Sequence, residues 1–209
     1  MKKPTIIFLG AGGHSRACID VVEHQDHFQI AGLVGLPEQR HARHLGYSVI
    51  GTDDDLAQLV KNHPFALVTV GQLTSPDLRI RLCTQALKLG FQLPVVIAPT
   101  ARVSRHTTIG PGTIVMHGAI VNAGAKNGSN CIINTRALIE HDAIVEDHCH
   151  ISTGAILNGG AVVGSDSFIG SGSVIKEGIT LGKHCIVGMG LSVRHNQADH
   201  SRFVGNGKQ

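Results

Sequence analysis

Residues 133–157, which read INTRALIEHDAIVEDHCHISTGAIL, place an aliphatic residue at every sixth position. The same spacing runs from Ile97 to Val193, and sixteen of these seventeen positions hold Ile, Val or Leu; the exception is Asn127. Four residues after each aliphatic, the chain mostly carries a small residue such as Ala or Cys. A period of six matches neither an α-helix nor a flat strand. It is typical of a parallel β-helix.

The hexapeptides also predict how this β-helix is built. Three of them make one triangular coil, and successive coils stack at roughly the 4.7–4.9 Å spacing of hydrogen-bonded strands. We expect the branched aliphatic side chain to fill the interior and the small residue to lie where the wall approaches the axis. The position directly after the aliphatic often holds Gly or Asn, which we expect to relieve corners with unusual backbone angles.

The first 95 residues follow a different pattern, in which apolar runs alternate with helical segments. Strands are expected at residues 4–10, 29–35, 65–71 and 93–99, with helices after the first glycine turn, from Thr52 or Asp53 onward, and over 75–90. This alternation predicts a small parallel α/β, Rossmann-like sheet with right-handed crossovers. The sequence therefore predicts an α/β domain (1–95), a β-helix (96–193) and a capping tail (194–209).

Composition narrows the class of protein. A net charge of +3 with 16% charged residues favours neither nucleic-acid nor membrane binding. The apolar run at the N-terminus is short for a signal peptide and no stretch approaches the length of a membrane span, so a cytoplasmic location is expected. Cys131, Cys149 and Cys185 share the small inward position in one stacked column, which predicts core residues rather than disulfides or metal ligands.

A glycine-rich turn, Gly10-Ala11-Gly12-Gly13-His14-Ser15, follows the first predicted strand. Glycines at this point let the backbone approach a phosphate at the N-terminus of the next helix. Ser15 stands where a dinucleotide-binding motif has its third glycine, and Gly35-Leu36-Pro37 offers no acidic side chain for a ribose. The pattern thus disfavours a redox dinucleotide. It leaves open a nucleotide-sugar diphosphate, with His14 as a nearby donor, and a turn that serves only the fold.

His141 is the candidate for proton transfer among the fourteen histidines. Glu140, Asp142 and Asn134 are near it in the sequence and could fix its tautomer and raise its basicity. Spacing alone leaves a catalytic and a merely solvated His141 equally open. The histidines share no short ligand spacing, so no metal site is predicted.

The glycine-His motif, the uninterrupted hexapeptides and residues 133–157 together resemble the sialic acid O-acetyltransferase and UDP-4-amino-sugar N-acetyltransferase family. The resemblance covers essentially the whole chain. It implies a left-handed β-helix, a homotrimer with active sites between neighbouring helices, acetyl-CoA as the donor and a nucleotide-linked amino sugar as the acceptor. The implied reaction is direct acetyl transfer to the amine of a UDP-4-amino-sugar, assisted by a histidine general base.

The resemblance also implies roles for individual residues. His141 matches the general base and Asp142 the acid that supports it. Gly159, one coil further along the same edge, matches a glycine whose backbone N–H faces the thioester carbonyl. The other matches are substrate-binding residues (Gly10, Gly12, Gly13, His14 and Asn134) and residues along acetyl-CoA (His150, Gly159, Gly188 and Gly190).

The sequence departs from the family pattern at two places, and each leaves one feature of substrate binding open. Relatives that bind uridine nucleotides often carry an acidic pair where Gly35-Leu36-Pro37 stands, so the carrier nucleotide is open. The tail 204–208 lacks the proline that relatives place before Ala-Lys, which leaves the adenine end of the CoA site open. The alternatives are O-acetylation of a sialic or nonulosonic acid, a non-catalytic β-helix assembly protein, and a metalloenzyme of the carbonic-anhydrase type.

Overall fold

The computed structural model describes residues 3–205 and divides the chain into two compact units. The first unit comprises the chain up to Gly71 together with Asp77–Pro99, and the second comprises Gln72–Pro76 together with the chain from Thr100 onward. The end of the predicted capping tail, residues 206–209, lies outside the described residues. Within residues 3–205, no helix has the length and apolar character needed to cross a bilayer.

The first unit is an α/β sheet. Its strands are β1 (Thr5–Leu9), β2 (Gln29–Val34), β3 (Arg43–His44), β4 (Tyr47–Gly51) and β5 (Phe65–Val68), and its helices are α1 (Gly13–Gln25), α2 (Leu56–Leu59) and α3 (Asp77–Lys88). The strand order is β3-β4-β2-β1-β5, and all neighbours are parallel except β3 and β4. Strand β1, which lies between β2 and β5, is buried from Ile6 to Leu9, as expected for a parallel sheet covered on both faces.

One strand prediction for this unit was wrong. Residues 93–99 were expected to complete the parallel sheet, but they contain only the short strand β6 (Val96–Ile97), which is not one of the five strands. Pro94 and Pro99 remove backbone donors from this segment, and a long ladder cannot form without them. The sheet instead gains β4, which lies parallel to β2.

The second unit is a left-handed parallel β-helix built from two-residue strands in three walls. Wall I contains β7 (Arg102–Val103), β10 (Ile120–Val121), β13 (Leu138–Ile139), β16 (Ile156–Leu157), β19 (Val174–Ile175) and β22 (Ser192–Val193). Wall II contains β8 (Thr108–Ile109), β11 (Lys126–Asn127), β14 (Ile144–Val145), β17 (Val162–Val163) and β20 (Thr180–Leu181). Wall III contains, within this unit, β9 (Ile114–Val115), β12 (Ile132–Ile133), β15 (His150–Ile151), β18 (Phe168–Ile169), β21 (Ile186–Val187) and β23 (Arg202–Phe203).

The repeating aliphatic side chains fill the prism, as the sequence predicted. Ile139 pairs with Leu157 and Leu157 with Ile175, so one coil takes eighteen residues, and all three side chains are fully buried. Asn127 occupies the same inward position between Ile109 and Val145 and is 4% exposed. Its amide atoms find no hydrogen-bond partner within residues 3–205, an arrangement that costs about 1–3 kcal/mol.

At the corners, the unusual backbone angles fall at a different position of the repeat from the predicted one. Left-handed φ angles fall three residues after the aliphatic, as at Asp142 (φ 59°) and Gly160 (φ 67°). The glycines directly after the aliphatic serve another purpose: a Cβ on Gly110 would lie 2.6 Å from the backbone of Gly128 in the next coil. Assigning the backbone strain to this glycine position was therefore wrong. These glycines are needed because adjacent coils approach each other closely.

Candidate active site

The corner between walls I and II carries residues that stack in columns, one coil above another. Backbone hydrogen bonds fix the stacking, because the N–H of Gly160 donates to the carbonyl of His141 (2.9 Å) and the N–H of Gly178 to that of Gly159 (3.0 Å). The residue pairs that follow β13, β16, β19 and β22 at this corner are Glu140-His141, Asn158-Gly159, Lys176-Glu177 and Arg194-His195.

His141 has a fixed tautomer at this corner. Its Nδ1 lies 3.0 Å from Oδ2 of Asp142, and because a carboxylate only accepts, Nδ1 carries the proton and Nε2 presents a lone pair. The left-handed backbone at Asp142 belongs to the corner turn that sets its carboxylate beside the histidine. Glu140 accepts hydrogen bonds from the backbone N–H of His141 (3.2 Å) and from Nδ2 of Asn122 (2.9 Å).

These acids make His141 a stronger base. The hydrogen bond to Asp142 raises the pKa of the imidazole above its ordinary value; partial desolvation opposes this, and the negative charges of Asp142 and Glu140 add to it. The side chain is 67% exposed, so solvent screens part of the effect. Only the neutral ring can accept a proton, so a raised pKa moves the pH range in which His141 could act as a base upward.

Gly159 lies directly against the free nitrogen of His141. A Cβ at this position would be 2.6 Å from Nε2, so any larger residue would displace the ring. The backbone N–H of Gly159 has no acceptor among residues 3–205 and can serve a ligand. Both residues line an open cleft of about 640 Å³ with Glu140, Asn158, Glu177 and Gly178.

His150 and Asn134 lie on wall III and at the corner that follows it, away from the His141 corner. His150 is 5% exposed, and its Nδ1–H donates to the carbonyl of Gln72 (2.7 Å). Its Nε2 accepts from Nδ2 of Asn134 (3.0 Å), and its ring meets Phe168 edge-on. Both nitrogens are therefore engaged. Asn134 supports this buried histidine and not His141, contrary to what their proximity in the sequence suggested.

Gly188 and Gly190 lie at the corner between walls III and I. The N–H of Gly188 donates to the carbonyl of Phe203 (2.8 Å), and Gly190 provides the left-handed residue of the turn (φ 68°). Beside them, Leu191 and residues 202–205 line a separate cavity of about 330 Å³. Within one copy of the chain, these two glycines thus occupy a different corner of the prism from His141 and Gly159.

The glycine-rich turn of the first unit borders a smaller cleft. Gly10 is structural, because its φ is 125° and a Cβ would lie 3.0 Å from the backbone nitrogen of Val70. A Cβ on Gly12 or Gly13, at the start of α1, would meet nothing within 4 Å, and His14 is half-buried in the first turn. The cleft, about 210 Å³, is lined by residues that include Gly10, Gly12, Leu36, Asp53 and Arg81.

Asp53 and Arg81 were not anticipated from the sequence. The guanidinium of Arg81 donates to the carboxylate of Asp53 at 2.9 Å, so a charged pair forms part of the lining of this cleft. Nothing in the sequence marks the pair, because its members come from the turn after β4 and from α3, 28 residues apart.

Comparisons with known proteins agree with this architecture. Residues 5–85 match the profile of the PglD N-terminal domain, and residues 160–194 match the hexapeptide repeat of succinyl-transferase. A search of curated protein sequences finds no match. Among solved structures, the acetyltransferase domain of PglB from Neisseria gonorrhoeae FA1090, in complex with acetyl coenzyme A, has a TM-score of 0.89 and 31% identity, covering 98% of this chain and 97% of that chain.

A histidine-to-asparagine variant of perosamine N-acetyltransferase from Caulobacter crescentus, in complex with CoA and GDP-perosamine, also has a TM-score of 0.89. Its identity is 30% over 96% of this chain and 93% of that chain. The chain belongs to the sugar N-acetyltransferase family. WeeI from Acinetobacter baumannii AYE, at 22% identity, shares the fold of this sugar N-acetyltransferase with a TM-score of 0.86, covering 97% of each chain.

Proposed function

We propose that this enzyme transfers the acetyl group of acetyl-CoA to the amine of a nucleotide-linked 4-amino sugar. The observation that carries the proposal is the contact between Gly159 and the Nε2 of His141, whose tautomer Asp142 fixes. Related structures hold acetyl coenzyme A in one case and CoA with GDP-perosamine in another, which supports both the donor and the class of acceptor.

The proposed chemistry is a direct transfer in which His141 acts as general base. The sugar amine attacks the thioester carbonyl and Nε2 takes its proton, a contribution of about 10²–10⁴ in rate. The oxyanion of the tetrahedral intermediate accepts a hydrogen bond from the N–H of Gly159. When the intermediate collapses, the C–S bond breaks, and the CoA thiolate takes up the proton from the imidazolium as the amide product leaves.

A covalent acetyl-cysteine intermediate does not fit the cysteines of the β-helix. Cys131, Cys149 and Cys185 are buried in the column of small inward residues. Burial raises the pKa of Cys149 well above its ordinary value, and a buried neutral thiol is a poor nucleophile. Attack by the substrate amine itself is the simpler route.

The open side of the His141 cleft supports a site completed by a neighbouring copy. Gly188 and Gly190 are proposed to contact acetyl-CoA, yet they lie at another corner of the same prism. Three β-helices side by side would bring this corner of one copy to the His141 corner of the next. A homotrimer is the arrangement we propose. Gel filtration with light scattering measures the oligomeric state, and a fully active monomer would contradict the proposed homotrimer.

The first unit is proposed to hold the nucleotide at the start of α1, where Gly12 and Gly13 leave the backbone open to phosphates. The family resemblance favours a UDP-linked sugar. GDP is the second candidate, because Gly35-Leu36-Pro37 replaces the acidic pair and one related structure binds GDP-perosamine.

The test is a product-mass assay with acetyl-CoA and separate acceptors: UDP-4-amino sugars, GDP-perosamine and free sialic acids. We expect one added acetyl group on the amine of a nucleotide-linked sugar and no product without the nucleotide. Acetylation of a sialic acid hydroxyl would replace the proposal with O-acetylation. No transfer to any acceptor, together with no binding of acetyl-CoA, would indicate an assembly protein.

A further inference from the structure

The cleft of about 210 Å³ in the first unit, which we call the first-unit cleft, lies at a switch in strand order. From β1 the chain adds β2 and β4 on one side of the sheet and then β5 on the other. Ligands of open α/β sheets bind in the crevice at the carboxyl ends of the strands where the order reverses. The residues that follow β1 and β5 line the first-unit cleft, so its place in the fold is that of a ligand site.

The lining of the first-unit cleft is largely apolar. Leu36, which follows β2, and Leu78, in the first turn of α3, both line it, yet they are 59% and 46% exposed. Val34, Val70 and Leu82 complete the apolar lining. A flat aromatic ring such as a nucleobase fits an apolar cleft of this kind and would cover the two exposed leucines.

The charged residues of this lining, Asp53 and Arg81, are held side by side. Nη1 of Arg81 donates to Oδ2 of Asp53 at 2.9 Å, whereas Oδ1 of Asp53 has no donor among residues 3–205. Gln39 also lines the cleft, but its Nε2 donates to the carbonyl of Ala11 (3.2 Å) and its Oε1 accepts from the N–H of Leu36 (2.9 Å). A ring in the cleft thus meets a carboxylate that can accept and, next to it, a guanidinium with further N–H groups to donate.

We infer that Asp53 and Arg81 recognise the base of the nucleotide-linked sugar and select guanine over uracil. The inference rests on the proposed function for the identity of the ligand, because it takes a nucleotide-linked sugar as the acceptor. The Watson–Crick edge of guanine offers an amino donor, a ring N–H donor and a carbonyl acceptor, in that order. They match Oδ1 of Asp53, Oδ2 of Asp53 and the guanidinium of Arg81.

The ion pair between the two residues can stay intact when guanine binds, because each carboxylate oxygen accepts more than one hydrogen bond. Uracil offers a different pattern, with one ring N–H between two carbonyl groups. If that N–H donates to Asp53 and one carbonyl accepts from Arg81, the other carbonyl faces the carboxylate and repels it. Asp53 therefore distinguishes the two bases, whereas Arg81 can donate to a carbonyl of either.

The test measures calorimetric binding of GDP, UDP and IDP, which has the guanine ring system without its amino group. We expect wild type to bind GDP about 10- to 100-fold more tightly than UDP, and about tenfold more tightly than IDP. Asp53→Asn replaces one acceptor by a donor, so it should lose most of the preference over UDP and bind GDP and IDP about equally. Asp54→Asn is the matched control, because it removes the same charge from an exposed side chain outside the cleft lining and should keep both preferences.

Equal losses of GDP, IDP and UDP binding in Asp53→Asn would overturn the inference, since the ion pair would then only hold the wall of the cleft. Wild type that binds UDP as tightly as GDP, or neither, would overturn it as well. Product-mass assays with GDP- and UDP-linked amino sugars separate this inference from the proposed function. If Asp53 confers a preference for GDP but no sugar is acetylated, the proposed function fails and the base recognition stands; if a UDP-linked sugar is acetylated without any preference for GDP, the reverse holds.

Discussion

Two histidines of the β-helix, nine residues apart, differ in what their ring nitrogens contact. His141 is 67% exposed, its Nδ1–H donates a hydrogen bond to the carboxylate of Asp142, and its Nε2 faces Gly159. His150 is 5% exposed and has both nitrogens engaged, by Gln72 and Asn134. A carboxylate stabilises the imidazolium, whereas a carbonyl and an amide donor hold the neutral ring. The comparison shows that a free lone pair, rather than polar neighbours in the sequence, distinguishes a candidate base.

Replacing His141 should have the largest effect on rate. His141→Asn removes the proton acceptor, so kcat should fall about 10²–10⁴-fold with little change in unfolding temperature, because the side chain is exposed. His148→Asn is the control: it lies at another corner, at a left-handed backbone position (φ 58°) that Asn tolerates. Steady-state kinetics and thermal melts measure both. A His141→Asn enzyme with near-normal kcat would remove this residue from the mechanism.

Two adjacent glycines should separate rate from stability. Gly159→Ala would push a methyl group into the imidazole, and a misplaced base costs about 10² in kcat while the backbone can accommodate alanine. Gly160→Ala adds a methyl group that meets nothing within 4 Å but occupies a left-handed position (φ 67°).

Gly160→Ala should therefore lower the free energy of unfolding by about 1–2 kcal/mol and leave kcat within a few-fold of wild type. Chemical denaturation and kinetics of the two variants make the comparison. The same effect on both quantities in both variants would contradict the proposed role of the contact between Gly159 and the His141 ring.

Asp142→Asn should move the pH profile. Wild-type activity falls as the pH drops through the pKa of His141, which the Asp142 hydrogen bond holds above its ordinary value. Removing that carboxylate lowers the pKa, so the acid limb of kcat/KM should shift to lower pH. At neutral pH and above, the rate should fall about tenfold because the asparagine amide can donate as well as accept and so no longer fixes the proton on Nδ1. Asparagine is tolerated at the left-handed backbone position of residue 142, so we expect the variant to fold normally. An unshifted acid limb would mean that another group titrates.

His150→Leu should show the opposite balance to His141→Asn, with a clear loss of stability and a small loss of rate. It leaves the carbonyl of Gln72 and the amide of Asn134 without their partner, which should cost about 1–3 kcal/mol of unfolding free energy. We expect kcat to stay within about tenfold, since neither nitrogen of His150 is free. Denaturation and kinetics measure the two quantities. A stable variant whose KM for acetyl-CoA rises steeply would instead place His150 at the cofactor.

The sequence predicted the features that its own period controls. The six-residue spacing fixes which side chains point inward and which residues stack one coil apart, so the contact of Gly159 with His141 follows from a separation of eighteen. It could not show that Gln72 approaches His150, because these residues are 78 positions apart and only one of them lies in the repeat. The Asp53–Arg81 pair and strand β4 were missed for the same reason: no period links them.

Because all coils have the same length, residues at one corner of the β-helix are spaced at fixed intervals along its axis. Inserting or deleting eighteen residues between His141 and Lys176 would preserve every remaining inward position and every wall, yet move every later residue by one coil, about 5 Å. A change of six or twelve residues would keep the aliphatic side chains inward but move every later residue to another wall, and any other smaller change would bring polar side chains into the interior. The distance along the axis between the imidazole and the other residues of its column can thus change only in whole coils of about 5 Å, and any finer adjustment has to come from side-chain replacement.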